Sequence, residues 1–283
     1  MSIKKYYATK DNTISNAYKS YSNSRRVSSL NYGQTDSLEI FALYGSVTAS
    51  VDDNEKSRAI VQFDTSQIST DRTNGDIPSS GSVSFYLRLK NYVHTSTSPT
   101  SFTLVVAPVS RSWDEGRGQS YDDEDLNQVG SNWLTASSFP EVTWTTAGGD
   151  YRSTPLAEQS FSTADNDLSL DVTSFVESII TDSTVDYGLG IYLTSSQETA
   201  SQSYYKKVFY SRQYSDEAYR PQLEARWNNS LQDDTDNFFL SSSRASSTDN
   251  LNTIYIYNQI RGNLKNIPAV GTSDLHVSFY SGS

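Results

Sequence analysis

Hydrophobic and polar residues alternate most cleanly over residues 83–90, where Val83, Phe85, Leu87 and Leu89 take one face and Ser84, Tyr86, Arg88 and Lys90 the other. A period of two is the mark of a strand with one buried face. The same alternation runs through residues 57–64, with Ala59, Val61 and Phe63 on one side, and residues 37–45 form a further strand. The connecting residues 46–56 read as a loop. Residues 102–109 are apolar almost without interruption, which predicts a central strand. Over residues 168–182 the period changes. Leu168, Leu170 and Val172 alternate, then Phe175, Val176, Ile179 and Ile180 recur at helical spacing behind a capping box of Ser174 and Glu177. One short helix therefore interrupts an otherwise β chain, and residues 187–196 return to strand. Residues 207–227 read as a terminal hairpin. Its first arm is residues 208–214, its turn is residues 215–217, and its second arm follows Pro221 with Leu223, Ala225 and Trp227 on one face.

Between these elements the pattern breaks down. Residues 1–36 are mostly Ser, Tyr, Asn and Thr, with Ile14 and Leu30 as isolated apolar points, so they predict an extended, loop-like lead-in whose strands are short and at an edge. Residues 113–152 are irregular but contain Trp113, Trp133 and Trp144, as expected of a packed Ω-like insertion or a contact surface; packing is the better reading. After Trp227 the chain turns polar, with Asn228, Asn229 and Ser230 and then Gln232 to Asp236, which marks a boundary. The expected organisation is a β-sandwich domain over residues 1–228, a polar and acidic linker over 229–250, and the start of a second small β unit over 251–283. In that last unit residues 253–257 and 274–280 alternate as strands. Two strands are too few to close a core, so a partner completes the unit or the chain is part of something longer.

Composition narrows the function classes. The 283 residues are 35% hydrophobic, but 20 Tyr and 11 Phe supply large amphipathic surface for a core or a partner. Lys and Arg number 22 against 33 Asp and Glu, for a net charge of −11 with no dense basic block, which argues against binding a nucleic-acid backbone. The chain has no cysteine, so neither a disulfide framework nor a thiolate metal site is available. No apolar run approaches the length of a membrane span, and the start lacks the apolar core of a secretion signal, so a soluble chain with no membrane partner is expected.

Candidate chemistry is sparse. The two histidines, His94 and His276, fall in different expected domains, which makes a metal pair or a Ser-His-Asp arrangement hard to build. Asp122, Asp123, Glu124 and Asp125 could offer oxygen ligands to calcium, although they lack the alternate spacing and the glycine of a calcium loop. Glu115 with one of these would be the carboxylate pair of a polysaccharide-cleaving enzyme. Gly116, Gly118, Gly148 and Gly149 lack the strand-then-helix context of a phosphate loop and read as turn residues. No cofactor motif is present. Tyr204, Tyr205, Tyr210, Tyr214 and Tyr219, together with Trp133, are the candidate contacts for a neighbouring subunit or a sugar ring.

Several short motifs then line up in order. They are residues 9–14 (TKDNTI), 58–64 (RAIVQFD), Val109 through Ser112, Trp113, Asp114 and Glu115, residues 142–144 (VTW), 170–176 (LDVTSFV), 186–189 (DYGL), 209–212 (FYSR) and 220–223 (RPQL). Together they resemble the DNRLRE domain, over about residues 5–227. That resemblance implies a jelly-roll-like antiparallel β-sandwich, similar to carbohydrate-binding modules and non-catalytic. Residues 4–18 (KKYYATKDNTISNAY) and 76–89 (DIPSSGSVSFYLRL) further resemble virion structural proteins of marine tailed bacteriophages. The segment from Trp113 to Trp144 is enlarged relative to the family pattern, and no family sugar site maps onto this chain. The resemblance implies a structural protein of the virion, in the tail, neck or baseplate in preference to the capsid. Its expected partners are other virion proteins in a symmetric homo- or hetero-oligomeric assembly. A glycan-binding adhesion module for host-surface attachment is the alternative.

Overall fold

The computed structural model describes residues 1–19, 22–45, 53–93, 101–119, 129–163, 165–182, 184–201, 204–229, 234, 238, 240–247, 250–261 and 263–264. The chain divides into two compact units, Met1–Asn228 and Asn229–Ser283.

The strands of the first unit are, in chain order, β1 (Ser2–Ser15), β2 (Tyr18–Lys19), β3 (Ser22–Arg26), β4 (Ser37–Gly45), β5 (Asp53–Phe63), β6 (Val83–Leu89), β7 (Phe102–Pro108), β8 (Thr135–Ser138), β9 (Glu141–Thr143), β10 (Ala157–Phe161), β11 (Leu168–Asp171), β12 (Leu189–Leu193), β13 (Tyr204–Tyr210) and β14 (Gln222–Trp227). Its helices are α1 (Ser66–Asn74), α2 (Thr173–Asp182) and α3 (Ser195–Glu198). One layer of the sandwich runs β11-β6-β14-β1, and the other runs β10-β7-β12-β5, with β4 pairing β5 and β13 pairing β4. These ladders are antiparallel, and the fold is the all-β sandwich expected.

β1 joins the layers. Ser2 to Tyr7 pair with β14, whereas Ala8 to Ser15 pair with β5, and the register shifts between Ala8 and Lys10. A bulge bends a strand and increases its twist, which lets one strand leave the first ladder and enter the second. On the opposite margin the Gln159 side chain of β10 donates to Asp167 O at 2.9 Å and accepts the Ser169 N–H at 2.8 Å, so β10 and β11 are bridged across the layers. The sandwich is thus nearly closed. Its core packs Leu38, Ile40, Val61, Phe85, Leu87, Leu104, Ile191 and Phe209 between the layers.

Where the sequence expectations differ from this, a tertiary partner is the reason. Residues 1–36 contain a 14-residue strand instead of a short edge piece, and Asp11, Asn12, Thr13 and Ser15 in it are buried. The expected hairpin over 207–227 does not form: β13 lies beside β4, while β14 lies between β1 and β6 in the other layer. The residues between them carry the chain across, through a short 3-10 turn at Glu217–Tyr219. Asp53 to Lys56, read as loop, extend β5 because Gly45 back to Ala42 pair with them.

Three helices are present among the described residues instead of one. α1 has no apolar stripe, and it is held by Ile68 in the core and by Asp71, which accepts from Tyr6 Oη at 2.6 Å and pairs with Lys4 at 2.8 Å. The capping box of α2 does not form as expected. Asp171 Oδ1 accepts the Thr173 N–H, and Glu177 instead makes a two-pronged pair with Arg72 of α1.

In the second unit the described ladder is β15 (Gln259–Ile260) with β16 (Asn263–Leu264). Residues 253–257 are not a strand; Thr253 is tied to Asp234, whose N–H donates to Thr253 O at 2.8 Å and whose carboxylate accepts the Thr253 N–H at 2.9 Å. The expected strand at 274–280 lies outside the described residues.

Gly188 shows how tightly the motif residues are seated. Its φ is +85°, and a Cβ there would stand 2.2 Å from the Val61 carbonyl oxygen. Gly188→Ala is expected to lower stability by about 2 kcal/mol or more, read as a fall in the urea midpoint at unchanged slope.

Candidate functional site

Isolated polar residues of the sequence motifs converge on the second half of β1. Burying Asp11 to Ser15 requires a partner for each polar group, and the tryptophan-rich excursion supplies many of them. Asn12 Nδ2 donates to Ser131 O at 2.8 Å and Ser131 Oγ at 2.9 Å, and its Oδ1 accepts the Tyr32 N–H at 2.9 Å. Thr13 Oγ1 accepts the Glu39 N–H at 3.1 Å. The Asp11 N–H donates to Glu115 Oε1 at 2.9 Å, and Asp11 Oδ2 accepts the Arg212 N–H at 2.6 Å. Glu115 and Arg212 close the network side chain to side chain, with Arg212 Nη2 at 2.6 Å from Glu115 Oε2 and a second, shorter bond from Nε. Burial pushes the Asp11 carboxyl up to about 7; the Arg212 N–H works against this and the Glu115 charge adds to it.

Beneath the same excursion, Trp113, Trp133 and Trp144 pack with Ile14, Ile60 and Val109 on the outer face of the β5 layer. This is why Ile60 is fully buried although it alternates with the core residues Ala59 and Val61. Trp113 Nε1 donates to Tyr187 O at 2.8 Å and Trp144 Nε1 to Asn132 O at 2.8 Å, so these two indole N–H groups have acceptors. Arg58 lies against the rings of Trp133, Tyr151 and Tyr192 and makes a two-pronged pair with Glu198, at 2.8 and 2.6 Å. Its Nη1 donates to Gly148 O at 3.0 Å. Gly148 has φ +93°, and a Cβ there would meet the Trp133 ring at 2.8 Å.

These charged groups are committed to one another, so their arrangement holds the excursion onto the sandwich. Glu115, the expected member of a carboxylate pair, is bound to Arg212 and the Asp11 N–H. Asp122, Asp123, Glu124 and Asp125 lie outside the described residues, as do His94 and His276; among the described residues no group of three or more His, Cys, Asp or Glu could hold a metal ion. Trp133 is only 7% exposed, so it belongs to the interior and is unavailable as a surface contact.

The tyrosines divide in two. Tyr210, Tyr214 and Tyr219 form one cluster with Tyr92, with ring centroids 4.3 Å apart for Tyr210 and Tyr214, 4.9 Å for Tyr210 and Tyr219, and 4.7 Å for Tyr92 and Tyr210. Tyr210 is buried at its centre, Tyr214 is half-buried and Tyr219 is 42% exposed. Arg220 Nε donates to Tyr214 O at 2.8 Å and fixes the loop that carries the outer rings. Tyr204 and Tyr205 start β13, about 20 Å along the strand from Tyr210. Tyr204 is 67% exposed, and Tyr205 packs near Phe102 at 6.5 Å. Two surface features were missed from sequence. Tyr92 lies three residues past the strand with the cleanest alternation, and its aromatic ring was the available signal. Phe139, 82% exposed at the tip of the β8–β9 hairpin, left none, because two strands of three and four residues carry too little pattern.

The chain matches no protein-family model and no curated protein.

Proposed function

We propose that this chain is a non-catalytic structural component of a tailed-phage virion, in the tail, neck or baseplate, that acts by docking against other virion proteins. The supporting observation is the pairing of site chemistry with surface aromatics. The charged groups of the motif network are used internally, whereas Tyr219 is exposed and Tyr214 and Tyr92 are half-exposed, all three packed on the buried Tyr210. Tyrosine clusters of this kind are favoured interface anchors, because they bury much area for little lost side-chain freedom. The convergence of Asp11, Asn12, Glu115 and Arg212, which come from three of the DNRLRE-like motifs, supports that resemblance and with it the non-catalytic part of the reading; the virion part rests on the likeness of residues 4–18 and 76–89 to phage virion proteins.

The test is particle composition. Mass spectrometry of purified virions is expected to find the chain in stoichiometric amounts, and its absence from intact particles would sink the proposal. Within the particle, Tyr219→Ala is expected to reduce incorporation while leaving the urea midpoint of the free chain nearly unchanged. The partly exposed ring of Tyr219 also favours a second reading, sugar stacking during host attachment. Tyr219-dependent binding to host polysaccharide, with incorporation unaffected, would select it.

A further inference from the structure

We propose that Lys207 and Asn91 become joined by an intramolecular isopeptide bond, formed after folding with release of ammonia. The bond is independent of the docking role above. Lysine is almost never fully buried unless it has a specific partner, yet Lys207 in β13 is 1% exposed. Its Nζ lies 2.6 Å from Asn91 Oδ1 and 2.7 Å from Asn166 O, over the rings of Phe161 at 5.2 Å and Phe209 at 5.0 Å. The amide carbon of Asn91 is one carbonyl bond, about 1.2 Å, from that oxygen. Amine and carbon are therefore within about 4 Å, close to the separation from which addition proceeds.

Both partners are held in place. Asn91 forms a bridge with Phe209, Tyr92 N–H donates to Val208 O at 3.0 Å, and Tyr210 N–H donates to Lys90 O at 3.0 Å, so the chain after β6 runs antiparallel to β13. Asp167 fixes Asn91 from the other side. Its Oδ1 accepts the Asn91 N–H at 2.9 Å and its Oδ2 binds Lys90 Nζ at 2.7 Å.

The charge states suit the reaction. Burial pushes the Lys207 ammonium down to about 8, against the pull of Asp167 and Asp165, which brings the free amine within reach near neutral pH. Burial also pushes the Asp167 carboxyl up, but the Lys90 ammonium and the Asn91 N–H outweigh it and leave it below the usual carboxylate range, ionised and able to accept a proton.

The chemistry balances without a cofactor. The Nζ lone pair adds to Cγ of Asn91, and the carbonyl electron pair moves onto Oδ1. A proton passes from the newly bonded nitrogen to Nδ2, and Asp167, the nearby carboxylate whose charge acts on Lys207, is assigned as its carrier. The pair on Oδ1 then returns, the Cγ–Nδ2 bond breaks, and ammonia departs. The aromatic walls exclude the water that would compete for the carbon. The product links β13 in one layer to the chain leaving β6 in the other, a covalent staple in a chain with no cysteine.

Intact-protein mass spectrometry of the full chain, followed by peptide mapping, tests this. After incubation at pH 8 the wild type is expected at one ammonia below its sequence mass, with a digestion product joining the Lys207 and Asn91 peptides. Lys207→Met and Asn91→Ala should each keep the full sequence mass. A wild type at full mass would overturn the proposal. So would an ammonia loss that persists in Lys207→Met, which would mark ring closure of an asparagine elsewhere. Asp167→Asn is expected to slow bond formation by about a hundredfold, and an unchanged rate would remove Asp167 from the relay.

Discussion

Arg58→Met is expected to destabilise the chain by about 3–5 kcal/mol, because it leaves the Glu198 carboxylate buried without its counter-ion. The Glu198 side chain is only 6% exposed, and the Arg58 side chain 16%. The arginine also lies against three aromatic rings and holds the Gly148 carbonyl, so its removal loosens the seat of Trp133 as well. Methionine keeps most of the stem volume, which limits the cavity contribution. Adding Glu198→Gln should recover much of the loss, since the stranded charge is then gone. Urea titrations of the wild type, both single variants and the double variant measure the coupling directly. A loss below about 1 kcal/mol for Arg58→Met would show that the pair is solvent-screened and behaves as a surface salt bridge.

The second large effect is a dependence on pH centred on Asp11. Burial raises its carboxyl to about 7 from an ordinary value of 3.8. Between those two values the folded chain holds a proton that the unfolded chain has released. Asp11 therefore favours the fold below pH 4, and that contribution is lost as pH rises toward 7. Over a window of about three pH units the change amounts to about 4 kcal/mol at most. Asp11→Asn cannot ionise and keeps an oxygen to accept the Arg212 N–H. Its stability relative to wild type should therefore rise steadily from pH 4 to pH 7 and level off above. Urea midpoints of the two proteins at matched pH provide the measurement, and a flat difference would mean that Asp11 is already ionised throughout.

Much of the β architecture was legible in the sequence because it rests on local pattern. The alternation of Val83, Phe85, Leu87 and Leu89 survives unchanged, with each of the four buried and the residues between them half-exposed. The apolar run over 102–109 is central because both its neighbours, β10 and β12, cover it. The tryptophans of the excursion are interior, as packing required. The motif residues, by contrast, were visible only as fragments. Asp11, Glu115 and Arg212 lie about a hundred residues apart, and nothing local in the chain announces that they meet. The buried stretch Asp11 to Ser15 looked like surface for the same reason, since its polarity is satisfied by groups from Tyr32, Glu39, Lys56, Ser131 and Arg212.

Strands whose side chains divide between a wet and a dry face follow from residue order, because that division is a property of consecutive residues. Tertiary structure alone decided that β13 and β14 part into opposite layers, that β1 bends to serve both, and that Lys207 rests against Asn91. Each of these is a choice between partners distant in the chain, and it is settled by which arrangement buries the apolar faces while giving most buried polar groups a partner.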